Sequence, residues 1–341
     1  MISDSLTNLI VNGNDGFPFT RAYKSCHRYY DDFIEMMNFF SDNLSESDYS
    51  SVENKVISGS SSDEQTYLQT MCELTVTYYV MRMYNEQFKY EPKYNGGNNP
   101  ECSFEFNGRV VSIEVKCPNM MKRVEFEEHN TLKLFSAERI PKHDEIIADL
   151  KNSIALNLEY SKYSGIEEIP RMDNKLKDYL ESAQKKFPQG EGYFNILAIT
   201  LDIVQDVDEW YSYILGDNGV FTNNTYVDKN YDSVDAILLS TPVYGHRAWE
   251  QFKGVNVWHL EETINLLILD PRKEESEKGK FYFSSGVDLF GWLSKEFLLF
   301  QNKLDFENES SMKEQTFDEK YIRFKEENLR ICSAFIESLK K

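Results

Sequence analysis

Positive charge is scarce in this chain. Its 341 residues carry 37 Lys+Arg against 57 Asp+Glu, a net charge of −20. A chain so acidic has no general basic stripe of the kind that usually binds phosphate backbones. Cysteine is also sparse. Cys26, Cys72, Cys102, Cys117 and Cys332 include no C-x-x-C pair, which excludes a disulfide scaffold and a zinc ribbon. Free thiols in a cytoplasmic protein are the simplest account. No apolar run is long enough to span a bilayer, and nothing at the N-terminus resembles a signal peptide. A phosphate-cradling G-x-x-x-x-G-K-S/T loop and a dinucleotide-binding glycine pattern are both missing. No repeat has a solenoid period. His129 and His143 have no sequence-adjacent catalytic partner and read as structural or surface residues.

What the chain does have is a short hairpin ending in carboxylates. Residues 100–116, PECSFEFNGRVVSIEVK, read as two strands around Asn107-Gly108. That pair is the strongest short-range hairpin signal, because a type I′ turn needs positive φ at both central positions. A two-residue loop sets the register. Phe106 faces Arg109, Phe104 faces Val111, Cys102 faces Ile113 and Glu101 faces Glu114. Side chains alternate along a strand, so Cys102, Phe104, Phe106, Val111, Ile113 and Val115 suit a core. Glu101, Ser103, Ser112, Glu114 and Lys116 share the other face. Directly opposed like charges cost roughly 0.2–1 kcal/mol. A divalent cation between them would relieve that, since hard cations take oxygen ligands. The plainer alternative is two glutamates pointing into water at a strand end.

Pro100-Glu101, twelve intervening residues and Glu114-Val115-Lys116 resemble the signature of the PD-(D/E)xK nuclease superfamily. The resemblance covers roughly residues 64–270. It implies an α/β fold with a restriction-endonuclease-like mixed sheet in α-β-β-β-α-β order. It also implies Mg²⁺ or Mn²⁺ held by Glu101 and Glu114, with Lys116 positioning the attacking water. The first acid of this family is more often aspartate; here it is Glu101. A preceding helix in the family carries another acid, which Glu73 resembles as a third metal ligand. Many members also place a polar residue late in the helix after E-x-K, matched here by Gln184 and Lys185. A helix-surface glutamate and a solvated helix end are the ordinary alternatives.

The surrounding pattern supplies such elements. Ser61 and Glu64 fit a capping box opening a helix to about Tyr84. Phe88–Glu91 reads as a first strand. Apolar stripes mark helices at Ile147, Leu150, Ile154 and Leu158, and at Leu176, Tyr179, Leu180, Ala183 and Phe187. Buried strands are expected at 194–201, 234–239 and 264–269. The expected organisation is an N-terminal helical extension with a Ser-rich linker at 45–62 (residues 1–62), the nuclease-like core (63–272) and a C-terminal helical region (273–341). That last part opens with a charged loop at 273–280, followed by helices around 289–300 and 317–339.

Charge is uneven. Residues 116–190 hold thirteen basic and thirteen acidic side chains, against seven and fourteen in 1–100 and eight and eighteen in 191–300. Lys122, Arg123, Lys133, Arg139 and Lys142 are therefore candidates to line a groove for nucleic acid, DNA being the family's usual substrate, with Lys185 nearby. The competing expectation is a non-catalytic module on a degenerate nuclease fold. Its acidic surface would meet a basic protein partner, mimic DNA or pair with a second copy. No membrane partner is expected.

Overall fold

The computed structural model describes residues 2–13, 17–60, 63–94, 99–119, 132–136, 142–155, 166–170, 172–216, 219–221, 231–252, 254–291 and 294. Its centre is a six-stranded mixed sheet with helices on both faces. The sheet strands are β1 (Lys89–Tyr90), β2 (Cys102–Phe106), β3 (Arg109–Lys116), β6 (Tyr193–Thr200), β7 (Ala236–Ser240) and β8 (Asn265–Leu269), in the order β1-β2-β3-β6-β7-β8. β1, β2 and β3 are antiparallel neighbours, β6 lies parallel to β3 and β7 parallel to β6, and β8 closes the sheet antiparallel. A separate parallel pair, β4 (Leu132–Ser136) and β5 (Ile166–Pro170), lies in the sequence between β3 and the next sheet strand.

The hairpin follows its turn chemistry. Asn107 and Gly108 have φ of 46° and 77°. Phe106 pairs with Arg109, Phe104 with Val111 and Cys102 with Ile113. The central strands β6 and β7 are buried on both faces, as near-continuous apolar runs in a parallel region should be.

Helix α5 (Glu64–Met83) covers one face, where Val76 and Val80 pack with Cys102, Phe104, Val111, Ile113 and Phe194. Helices α7 (Met172–Lys186) and α8 (Val204–Leu215) cover the other. There Leu176, Leu180, Ala183, Phe187 and Trp210 meet Leu197, Ile199, Ile237 and Leu239. Four N-terminal helices, α1 (Asp4–Asn12), α2 (Pro18–Lys24), α3 (Arg28–Asn43) and α4 (Glu46–Ser60), build a third core against α5, Trp249 and Trp258. Among the described residues no helix is long and apolar enough to cross a membrane.

Several expectations need correction. The Ser-rich stretch is not a linker but α4. Ser45 accepts the Asp48 N–H at its start, and Val52 and Val56 bury one face. Serine is a mediocre helix former but not a breaker, so a buried i, i+4 pair decides. The cap of α5 is Asp63, whose Oδ1 accepts the Thr66 N–H at 3.0 Å, rather than Ser61. The expected charged loop contains the start of α10 (Glu277–Ser284), capped by Ser276. In this stretch Lys273 and Lys278 clamp the fully buried Asp235 at 2.5 and 2.9 Å. Leu150 of α6 (His143–Ala155) is exposed, not part of a buried stripe. The helices expected at 289–300 and 317–339 lie outside the described residues, apart from Leu289, Phe290, Gly291 and Ser294.

Two glycines separate steric from backbone demands. A Cβ on Gly59 of α4 would stand 2.3 Å from Thr70 Oγ1 and 2.7 Å from Thr70 Cβ on α5. A Cβ on Gly108 would meet nothing within 4 Å. Gly59→Ala should cost about 1–3 kcal/mol through overpacking of α4 on α5. Gly108→Ala should cost about 1–2 kcal/mol through positive φ alone. Urea denaturation of both variants checks this; an unchanged midpoint for Gly59→Ala would mean the two helices are not in close contact.

Candidate active site

Strand β3 ends in Glu114 and Lys116 at one edge of the sheet. Glu114 is fully buried there, on the face opposite Ile113 and Val115. Two ammonium groups reach its Oε1, Lys116 from the same strand and Lys186 from the last turn of α7, each at 2.7 Å. Both carboxylate oxygens are buried and neither has a well-formed hydrogen bond among the described residues, so the two ammonium groups hold Glu114 by charge at contact distance. Burial pushes the Glu114 carboxyl above the ordinary glutamate range, against the pull of Lys116 and Lys186 and with help from the negative charge of Glu101.

Glu101 sits at a bend just before β2. Its N–H donates to the Ile113 carbonyl at 2.9 Å, and its carbonyl accepts the Glu91 N–H at 3.0 Å. The expected direct pairing of Glu101 with Glu114 would continue the ladder without a break. Instead the extra bond to Ile113 marks an irregularity of the bulge type, which re-aims a side chain. The Glu101 carboxylate consequently meets α4 and α5. Lys55 of α4 donates to its Oε2 at 2.6 Å. The same ammonium lies 3.0 Å from Glu73 Oε2 on α5 and 3.4 Å from Glu91 Oε1. Glu73 also accepts from Gln69 Nε2 at 2.9 Å.

Burial and then the Glu101 charge push the Glu73 carboxyl upward, against the pull of Lys55. Burial works against the charge of Lys55, yet Glu73 and Glu101 together hold it firmly protonated. The sheet edge thus carries four acids, Glu73, Glu91, Glu101 and Glu114, and three lysines, Lys55, Lys116 and Lys186, arranged as two ion-pair sets that feel each other's field.

Of the expected set, the structure places Glu73 with Glu101 around Lys55 and Glu114 with Lys116 in a second ion-pair set, the two linked by the field of Glu101 on Glu114. Lys185 is exposed and does not face the acids; its neighbour Lys186 does. Gln184 turns to the Ser233 N–H at 2.8 Å. Lys122, Arg123 and Arg139 lie outside the described residues, and Lys133 is placed on β4 by its backbone alone. Lys142 is exposed, 3.4 Å from Glu145. Lys55 and Lys186 were missed in the sequence reading. A helical wheel finds the second: Lys186 lies about 60° from Ala183 on the buried stripe, and Lys185 about 200° away.

The donor chemistry suits a hard cation. The carboxylates are oxygen ligands, and both Glu114 oxygens are buried acceptors without a well-formed hydrogen bond among the described residues. Among the described residues no three His, Cys, Asp or Glu side chains are gathered closely enough to form a ready metal cage. Magnesium, however, retains several waters and is usually held by only one or two carboxylates. Comparison with protein-family models, with curated proteins and with solved structures finds no match for this chain.

Two outcomes follow for metal-free protein. A folded-state pKa raised above the unfolded value gives stability that is present at low pH and lost as pH rises through the folded value. Glu114 is such a group, so its charge weighs against folding at neutral pH. Glu114→Gln in EDTA should match or exceed wild type in Tm at pH 7–8, and the difference should shrink toward pH 4. A variant that melts lower at every pH would mean the carboxylate is a net stabiliser. Lys55→Met should lower stability by about 1–3 kcal/mol at pH 7, because it leaves Glu73 and Glu101 facing each other unneutralised. Chemical denaturation at pH 7 and pH 5 checks it, the loss being smaller at pH 5, where Glu73 is more readily protonated.

Proposed function

We propose that this chain is a metal-dependent nuclease of the PD-(D/E)xK type, hydrolysing phosphodiester bonds, with DNA as the first substrate to test. One observation carries the reading. With the intervening β4-α6-β5 segment set aside, the order α5-β1-β2-β3-α7-β6, with β6 parallel to β3, is compatible with the α-β-β-β-α-β plan of the restriction-endonuclease-like fold, and Glu73, Glu101, Glu114 and Lys116 lie toward one edge of the sheet. Helices on opposite faces flank that edge, so each contributes a residue to it.

Glu101 and Glu114, with Glu73 from α5, would hold Mg²⁺ or Mn²⁺. The ion, when bound, would supply polarisation of the scissile phosphate and a more acidic bound water. Lys116 carries its charge 2.7 Å from Glu114 and would orient an attacking water and stabilise negative charge growing on phosphoryl oxygens. Lys186 adds a second positive charge on the same carboxylate. Lys55 holds Glu73 and Glu101 on one cation, so the two acids that would serve as ligands are kept close together.

A second reading keeps a specific observation on its side. The three lysines already offset much of the acid charge without a metal, as a non-catalytic acidic module would require.

The two readings diverge in one experiment. Millimolar Mg²⁺ or Mn²⁺ should raise the Tm of wild type through ligand linkage, and Glu101→Gln and Glu114→Gln should lose most of that rise at fixed ionic strength. Equal shifts in all three proteins would remove these residues as ligands and favour the module. In a cleavage panel of single-stranded DNA, duplex DNA and RNA, Glu114→Ala and Lys116→Ala should each lose at least about a hundredfold in rate. Glu105→Ala, exposed beside the turn, should stay near wild type.

A further inference from the structure

A cavity of about 300 Å³ opens beside the acidic edge, between α2, the last residue of α4, the first turn of α5 and the segment after β7. Its size is at the lower end of the range for small-ligand sites. Phe17, Tyr67 and Trp249 give it aromatic walls. Trp249 is held from behind by Tyr29, stacked at 5.2 Å and 17°. Arg21 lies over the Trp249 ring at 5.7 Å. Arg247, from α9 (Pro242–Arg247), is tied at 2.7 Å to Asp202. Asp63 and Glu64 stand at the end of α5 that faces the cavity. Two lining residues hold buried polar atoms without a hydrogen-bond partner among the described residues, Trp249 Nε1 and Ser60 Oγ. Buried polar groups are nearly always paired, so two orphans around one cavity point to a ligand.

Position gives the ligand's class. Lys116 ends β3, Asp202 follows β6, and Arg247 follows β7. All three lie outside the carboxyl ends of parallel strands, where open α/β sheets bind their ligands. Gln65, next to Glu64, donates to the Cys117 carbonyl at 3.2 Å, one residue beyond Lys116. From Asp63 to Glu73 the rise along α5 is about 15 Å. The cavity and the carboxylates therefore share one edge and one helix.

We propose that the cavity takes one unstacked nucleotide. Phe17, the least buried of the three rings, suits a base face. Carboxylates beside it suit the amino edge of a base, and guanidinium groups suit ring acceptors or a phosphate. That the nucleotide belongs to the strand being cut rests on the nuclease reading above; a free nucleotide has the same chemistry.

Calorimetry on Glu114→Gln protein in EDTA separates these. Each of the four deoxynucleoside 5′-monophosphates and inorganic phosphate is titrated in turn. At least one mononucleotide should bind with 1:1 stoichiometry, and phosphate at least about tenfold more weakly. Arg247→Gln, a half-exposed position whose loss leaves the core intact, should weaken the nucleotide by about tenfold. A saturating single-stranded oligonucleotide should displace it. No mononucleotide binding up to 1 mM (roughly −4 kcal/mol) overturns the pocket, whether or not wild type cleaves DNA. A mononucleotide that stays bound beside the oligonucleotide overturns its place on the substrate strand. Binding without cleavage by wild type removes the nuclease reading alone.

Discussion

The ammonium group of Lys55 ties together three carboxylates that come from separate parts of the chain. It reaches from α4 to Glu73 on α5, to Glu91 just after β1 and to Glu101 just before β2. Three buried or half-buried carboxylates around one point would repel one another strongly in a medium less polar than water. Without a cation, at least one would take up a proton or move away. The close approach of Gly59 to Thr70 brings α4 near enough to α5 for the lysine to reach. The N-terminal helices are therefore part of the acidic edge and do more than decorate the sheet. Their aromatic core, in which Phe19, Phe33 and Trp258 crowd together, holds α3 and α4 at a fixed height against α5.

Glu114 shows the complementary strategy. Its burial comes from its place in β3, flanked by β2 and β6. A strand so placed has no solvent-facing side, so its one inward acid must be met from a helix. Lys186 does this from the end of α7, where a positive charge also interacts favourably with the helix C-terminus. Two lysines meet this carboxylate by charge, at 2.7 Å, while neither of its oxygens has a well-formed hydrogen bond among the described residues. The acid is neutralised by the protein and keeps acceptor capacity for an exogenous cation or donor.

The hairpin was legible residue by residue because two adjacent positive-φ positions permit a single register, and a slip of one would have turned every apolar side chain outward. The buried central strands were legible for the same reason, being apolar runs too short for helices. Glu101 was misplaced because strand alternation ends where the ladder does; the bend before β2 is set by the Ile113 and Glu91 contacts, which involve residues distant in sequence. Lys55 was hidden by composition. Serines at 45, 47, 50, 51, 58 and 60 look like a linker, and the Val52–Val56 pair that signals a helix is only two residues strong. The error of Lys185 for Lys186 has no such excuse, since the phase of the Ala183–Phe187 stripe already separated them.

Net charge argues less strongly against a phosphate-bearing substrate than it first suggests. Exposed charges farther apart than about 8 Å are largely screened at physiological ionic strength, so most of the −20 is invisible to a phosphate at the sheet edge. What that phosphate meets is local: Lys55, Lys116 and Lys186 among four acids, with Arg21 and Arg247 at the neighbouring cavity. Such a site balances its acids only when it holds cations, either the protein's own or a bound metal. An acidic exterior also withholds the long-range attraction that lets basic proteins stick to any nucleic acid. Binding would then depend on the contacts made at this edge, with a weaker dependence on salt than a basic groove shows, and the aromatic cavity beside it would add an attraction that ionic strength does not screen.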